Sequence, residues 1–237
     1  MKTTPSIILN VVLAAALAVT CVQLAHTGGH RSDAADEVPK AEGQFKEFDP
    51  SKEFSANPFT FFMGDGHGLL LAAGNRERSN AMTIGWGSLG GVWGDSTSTI
   101  TVFVAQQRLT HVMMEQSKYF TVMRFDSAHD GVLDYMGHHS GRDGDKAAAL
   151  GLHTLYTEHG APYYAEASEV YECETIYHTQ LDSAAFGDLP HNFYKDYTAG
   201  IHSVYVGRII KALKKQWLPS GKRRHSVSPA TAPCRPG

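Results

Sequence analysis

The 237 residues carry 24 acidic and 21 basic side chains, a net charge of −3, which excludes nucleic acid as the main partner. At 42% apolar, a chain of this length holds one globular domain with extensions. Cys21, Cys173 and Cys234 form no C-x-x-C pair, which excludes a disulfide framework and a thiolate zinc site.

The chain begins with an uncharged stretch from Thr3 to Ala25, preceded by Lys2. From Ile7 to Ala25 it spans about 19 residues, close to bilayer length. A cut after Ala25 would put Gln23 where a leader site needs a small residue, and Ala18-Val19-Thr20-Cys21 matches a lipoprotein box only loosely. Residues 1–25 therefore read as a hydrophobic leader or membrane anchor. That implies a membrane-anchored or exported chain whose folded domain is extracytoplasmic. Residues 26–43 are a polar tether, and residues 44–213 carry the fold. From Lys214 onward there are six Lys or Arg and no acid, with prolines at 219, 229, 233 and 236. Residues 214–237 read as a basic disordered tail.

Within 44–213 the predicted elements are short. Residues 68–74, GLLLAAG, form a buried strand bracketed by glycine, and a polar turn over 75–79 leads into a strand over 81–86. Residues 99–104, TITVFV, are rich in β-branched side chains and predict the next strand. Thr110 caps a helix to Lys118, with Val112, Met113 and Ser117 facing inward. Residues 119–125 return as a strand. Asp126 or Ser127 caps a helix to Tyr135, and Asp143 or Asp145 caps another through Leu150. Residues 170–177 alternate apolar and polar, predicting a half-exposed strand. The last strand runs over 203–213, with Gly207 marking a bulge. Strands outnumber helices, so the fold class is mainly β with short helices, an antiparallel barrel rather than a parallel sheet.

Two glycine-rich segments carry the functional signal. Gly85-Trp86-Gly87-Ser88-Leu89-Gly90 formally matches the dinucleotide fingerprint G-x-G-x-x-G, but that turn needs a helix after it and an acid roughly 20 residues on. Here Gly91, Gly94 and a Ser/Thr cluster follow, and no Asp or Glu lies between Asp95 and Glu115. The segment is strand, glycine-rich turn, strand. Its glycines serve either tight turns with positive φ or close approach to a flat ligand.

The second segment, residues 138–146, offers the Ser140 hydroxyl, close backbone at Gly141 and Gly144, and the charges of Arg142 and Lys146. A helix starting near Asp145 would present free N–H groups to an anion. These are the parts of a phosphate clamp. The alternative is a charged capping loop in which Arg142 pairs with Asp143. Its D-x-D lacks the third acid and closing Glu of a calcium loop. Within 44–213 the histidines form no H-x-x-x-H, H-x-H or H-E-x-x-H pattern, so no metal site is expected.

Asn80 to Gly90 (NAMTIGWGSLG) and Ser140 to Lys146 (SGRDGDK) together resemble the flavin reductase-like family of the flavoredoxin type. Arg108-Leu109-Thr110, Tyr119-Phe120-Thr121-Val122, Gly160-Ala161-Pro162-Tyr163, Glu172-Cys173 and the run from His202 to Ile209 match further segments in order. The resemblance covers the chain from near Asn57 to Leu213. It implies a split β-barrel that binds FMN, as a homodimer with the flavin near the subunit interface. By the same resemblance Asn80, Met82, Thr83, Trp86, Gly87 and Ser88 line the flavin, and Arg108, Thr110, Ser140, Arg142 and Lys146 contact its phosphate and ribityl chain. The implied function is an FMN-binding oxidoreductase that accepts hydride or electrons from NAD(P)H. The alternatives are a non-enzymatic electron carrier serving a redox protein partner, and a split-barrel binding module without flavin turnover. Hydride transfer to flavin needs no side-chain acid or base, so no catalytic residue is assigned. The chain departs from the family at Leu109, where Tyr is usual, at Gln106-Gln107, where a proline is frequent, and at Met136, where Cys is frequent. These changes bear on substrate handling more than on flavin binding.

Overall fold

The structure is a computed structural model. It describes residues 44–54, 56, 58, 61–62, 68–94 and 97–216. The leader, the tether, Cys21, Cys234 and nearly all of the basic tail lie outside the described residues.

The strands are β1 (Phe45–Glu47), β2 (Leu69–Gly74), β3 (Ser79–Ile84), β4 (Gly87–Gly91), β5 (Ser98–Ala105), β6 (Tyr119–Arg124), β7 (Thr154–Tyr156), β8 (Pro162–Tyr164), β9 (Glu169–Gln180) and β10 (His202–Lys215). The helices are α1 (Pro50–Glu53), α2 (Leu109–Gln116), α3 (Asp130–His138), α4 (Lys146–Ala149) and α5 (Asp188–Lys195), with 3₁₀ turns at Ser127–His129 and Ser183–Ala185. One sheet takes the order β3-β2-β6-β9-β10-β5-β4, with β1 on β10, and β7 pairs with β8 separately. Every ladder is antiparallel.

The connectivity forces this sheet to curl. β3 and β4 stand at opposite ends of the order, yet only Gly85 and Trp86 lie between them. Three steps of extended chain span at most about 11 Å, so the sheet rolls until its ends stand side by side. No ladder joins β3 to β4 among the described residues, and the barrel is split there.

The rolled sheet is buried on both faces. Leu69, Leu71 and Ala73 of β2 join Ile100, Val102, Val104, Phe120 and Tyr171 in the inner core. Leu70 and Ala72 point the other way, onto Val132, Leu133 and Met136 of α3 and onto the β7–β8 hairpin. This two-sided cover explains one departure from expectation. Glu169 to Cys173 of β9 are all buried, because Val170 meets the outer layer and Tyr171 and Cys173 the inner one, so this strand is not half-exposed there. Gly207 sits at a register shift in the β9–β10 ladder. A Cβ there would stand 2.4 Å from Phe120 Cζ, so the bulge makes room for a core ring.

Two helix starts also differ from expectation. Arg108, not Thr110, occupies the N-cap of α2, and it makes no side-chain cap. Thr110 lies inside the first turn, and the buried face is Leu109, Thr110, Met113 and Met114, with Val112 and Ser117 only half-buried. The helix expected from Asp126 or Ser127 to Tyr135 begins as a 3₁₀ turn, and α3 starts only at Asp130 with His129 as its N-cap and runs on to His138.

Candidate functional site

The split edge, the start of α2 and the loop after α3 meet around one cavity of about 170 Å³. β3 contributes Asn80, Met82 and Thr83, the α2 start contributes Arg108 and Thr110, and the loop contributes Ser140, Arg142 and Lys146. Eight residues singled out in three separate stretches of sequence thus line a single space. Asn80 ties the three stretches together. Its Nδ2 donates to Thr110 Oγ1 at 2.8 Å, and its Oδ1 would stand 2.0 Å from a Cβ at Gly141, so only glycine lets the loop close on it. Thr83 Oγ1 donates to the Leu133 carbonyl and holds β3 against α3.

The cavity is strongly cationic. Lys146 is 7% exposed, and its Nζ donates to the Met136 carbonyl at 3.0 Å. Burial, and then the nearby Arg108 guanidinium, push its ammonium down to about 8. No carboxylate of a described residue pairs with Lys146, Arg108 or Arg142. Arg142 does not pair with Asp143 as the capping-loop alternative supposed. Its Nη1 donates to the Gln107 carbonyl at 3.1 Å, bracing the loop against the α2 entry. Its backbone N–H donates to the Ser140 hydroxyl oxygen at 3.1 Å. One expected feature is absent: Asp145 caps α4 by accepting from Ala147 N and Ala148 N at 2.9 and 3.1 Å. The α4 terminus is already satisfied, so positive charge at this cavity comes from side chains.

Trp86, Gly87 and Ser88 lie elsewhere. Trp86 stacks on His202 with ring centroids 4.5 Å apart and packs against Phe193 of α5 at 5.0 Å. Trp86 and Gly87 line a separate apolar cavity of about 520 Å³ with Phe103, Leu189 and Phe193. The close approach that requires glycine at 87 is to the protein itself, since a Cβ would stand 2.2 Å from Phe62. Ser88 is exposed on β4, opposite Thr101. His202 accepts or donates at Nδ1 to the Tyr194 hydroxyl at 2.7 Å. Burial and then Arg108 push it down to about 4, so it is neutral at pH 7. Arg108 lines the first cavity, and its charge lowers both Lys146 and His202.

Sequence reasoning missed the Gln107 and Met136 carbonyls, which hold Arg142 and Lys146. Main-chain acceptors leave no trace in side-chain identity. Leu109, where the resemblance expects a ring, packs on the Gly141 backbone instead, and a Cβ there would meet its Cδ2 at 3.1 Å. Among the described residues no three His, Cys, Asp or Glu side chains converge, and no helix is long and apolar enough to cross a membrane.

The model of the flavin reductase-like domain matches residues 66–224. The chain belongs to the flavin reductase-like family. Its fold is similar to an FMN-binding domain of a flavin reductase-like enzyme from Shewanella baltica, with TM-score 0.52 and 17% identity over 72% of this chain and 77% of that one. It is also similar to flavoredoxin from Methanosarcina acetivorans, with TM-score 0.50 and 21% identity over 62% of this chain and 68% of the other. A comparison with curated proteins gives no match. Family membership fits the rolled antiparallel sheet with its few short helices.

Proposed function

We propose that this chain is a flavoprotein oxidoreductase that holds FMN with its phosphate in the cavity of Lys146. The observation that carries the reading is a buried ammonium without a carboxylate partner among the described residues, flanked by two guanidinium-bearing residues. A buried charge is costly unless paired, and a phosphate dianion supplies the missing charge with acceptor oxygens for Lys146, Arg142 and Arg108. Ser140 and Thr110 offer hydroxyls beside it. β3 is an end strand of the sheet, so its outer backbone groups are available to the polar edge of a flavin ring lying along Asn80, Met82 and Thr83. Such a ring points along the strand toward Trp86, Gly87 and Ser88.

Bound flavin supplies two-electron acceptor chemistry. The protein's part is to orient the ring and balance the phosphate charge. The electron donor in this reading is NAD(P)H. The exposed surfaces of Trp86, Leu189 and Phe193, 42%, 84% and 40% accessible, support a second arrangement in which the ring end meets another protein, either a second copy in a homodimer or a redox partner. The leader reading adds that the protein works at or beyond a membrane, which favours the protein partner. Adding FMN to the purified chain is expected to give the two-banded spectrum of bound oxidised flavin. Bleaching by NAD(P)H under nitrogen then marks the enzyme, and bleaching only by a reduced protein marks the carrier. A chain that retains no FMN contradicts the proposal.

A further inference from the structure

The apolar cavity at Trp86, of about 520 Å³, lies within the size range of small-molecule sites, about 300–1,000 Å³. None of the residues lining it is charged, so it holds nothing to pair with a phosphate or a carboxylate. Its walls are rings, those of Phe62, Trp86, Phe103 and Phe193, and neighbouring groups hold them in place. Trp86 lies against His202 at 4.5 Å and Phe193 at 5.0 Å. Phe193 lies against Tyr194 at 5.1 Å and Tyr197 at 4.9 Å. Phe62 fills the space that a Cβ at Gly87 would need. Among the lining residues only Tyr194 carries a hydroxyl. The His202 backbone N–H donates to that oxygen at 3.4 Å, and His202 Nδ1 stands 2.7 Å from it. With the neutral imidazole carrying its proton on Nδ1, two N–H groups converge on the Tyr194 oxygen, and its own hydrogen is free for an outside acceptor.

We infer that this cavity takes an uncharged, flat electron acceptor of the quinone class. The aromatic walls stack on its rings, the lack of any lining charge rejects nucleotides and organic acids, and a quinone carbonyl accepts from Tyr194. The inference rests on the flavin reading for its electrons, because the ring end of that flavin points toward Trp86. The quinone takes two electrons and two protons from the reduced flavin. Its two carbonyls become hydroxyls, and the flavin returns to its oxidised form, ready for the next hydride from NAD(P)H.

The probes are menadione and a naphthoquinone sulfonate, the same two rings without and with a charge, titrated calorimetrically into the flavin-free full chain. Menadione is expected to bind, and the sulfonate about tenfold more weakly. Tyr194→Phe removes one oxygen and keeps the ring, and should weaken menadione by about threefold to tenfold. Leu189→Lys sets a cation at an 84% exposed position on the rim and should strengthen the sulfonate by about threefold to tenfold, a gain that misfolding cannot produce. Neither variant should change FMN affinity. In the FMN-loaded chain, reduced without air, menadione should restore the oxidised flavin spectrum more slowly in Tyr194→Phe than in the wild type. No menadione binding, equal affinity for the sulfonate, or menadione unaffected by Tyr194→Phe with no sulfonate gain in Leu189→Lys would each overturn the inference. Menadione binding that is lost as light scattering shows two copies joining would give the cavity to the second copy and overturn it as well. If the chain retains no FMN, the flavin proposal fails, and the two titrations on flavin-free chain still decide what the cavity takes.

Discussion

The cavity at Lys146 and the patch at Trp86 take residues from the two ends of one stretch, Asn80 to Gly87, yet they have opposite character. Around Lys146, cations line a polar hollow, and a buried ammonium is held by one main-chain carbonyl. Around Trp86, aromatic rings from the β3–β4 turn, α5, the chain just after it and β10 pack on one another, and His202 is kept neutral. The first region holds a buried charge with no described carboxylate partner, a cost that a bound anion would relieve. The second is self-satisfied inside and apolar outside, as a surface meant to be covered would be. Arg108 of the first region is the charged residue that lowers both Lys146 and His202 among the described residues.

The largest expected effect sits in the first region. Lys146→Met should weaken FMN by about 10–100-fold, on the order of 1–3 kcal/mol, the scale of a charge-assisted hydrogen bond. It should also raise the melting temperature of the flavin-free protein, because an unpaired buried charge is removed. Fluorescence titration and a thermal melt check both, and a variant that binds FMN normally would erase the contrast between the regions.

The pH dependence follows from the same group. Lys146 is depressed to about 8 from its ordinary 10.5, so between those values the unfolded chain binds more protons than the folded one. Stability of the flavin-free protein therefore gains from Lys146 as pH rises from 8 toward 10.5. Binding has the opposite sign. A phosphate raises the Lys146 value, so FMN affinity should be greatest below pH 8 and fall by about tenfold per pH unit above it. In Lys146→Met that limb should vanish. The Trp86 region should show no such limb, since His202 titrates near 4. Tryptophan fluorescence followed across neutral pH checks this.

Arg142→Ala should matter less, about threefold to tenfold in FMN affinity, because its head group is exposed and screened. Restored affinity at low salt would support a purely electrostatic part. Smallest of all, Leu189→Glu with Phe193→Glu should leave FMN affinity within about twofold, while light scattering should show a lighter particle if this patch joins two copies. A large loss of FMN in that double variant would merge the two regions into one site.

Residues 80–90 and 140–146 were legible as a pair through the family resemblance, the first as strand, glycine-rich turn, strand and the second as a glycine loop carrying Arg142 and Lys146. The strands were legible from composition: Leu69 to Ala73 is a short apolar run bracketed by glycine, and Thr99 to Val104 is rich in β-branched side chains. Three things were not legible. The burial of β9 depends on α3 and the β7–β8 hairpin covering its outer face, a tertiary fact that local alternation cannot express. Thr110 looks like a cap by type, but Asn80 claims its hydroxyl from 30 residues away. Helix α5 has no buried residue, so its polar and aromatic mix gave no inward stripe to read. Trp86 was grouped with Asn80 by the family resemblance, and the turn between β3 and β4 sets it against α5 and His202.

The ratio of riboflavin to FMN dissociation constants, in the wild-type chain and in Lys146→Met, isolates the phosphate's contribution. The two ligands share the ring and ribityl chain and differ only in phosphate. With the phosphate held at Lys146, FMN should bind at least tenfold tighter than riboflavin in the wild type, with the ratio falling close to one in the variant. Equal affinities in the wild type, or a ratio that survives loss of the lysine, would contradict a phosphate held at Lys146.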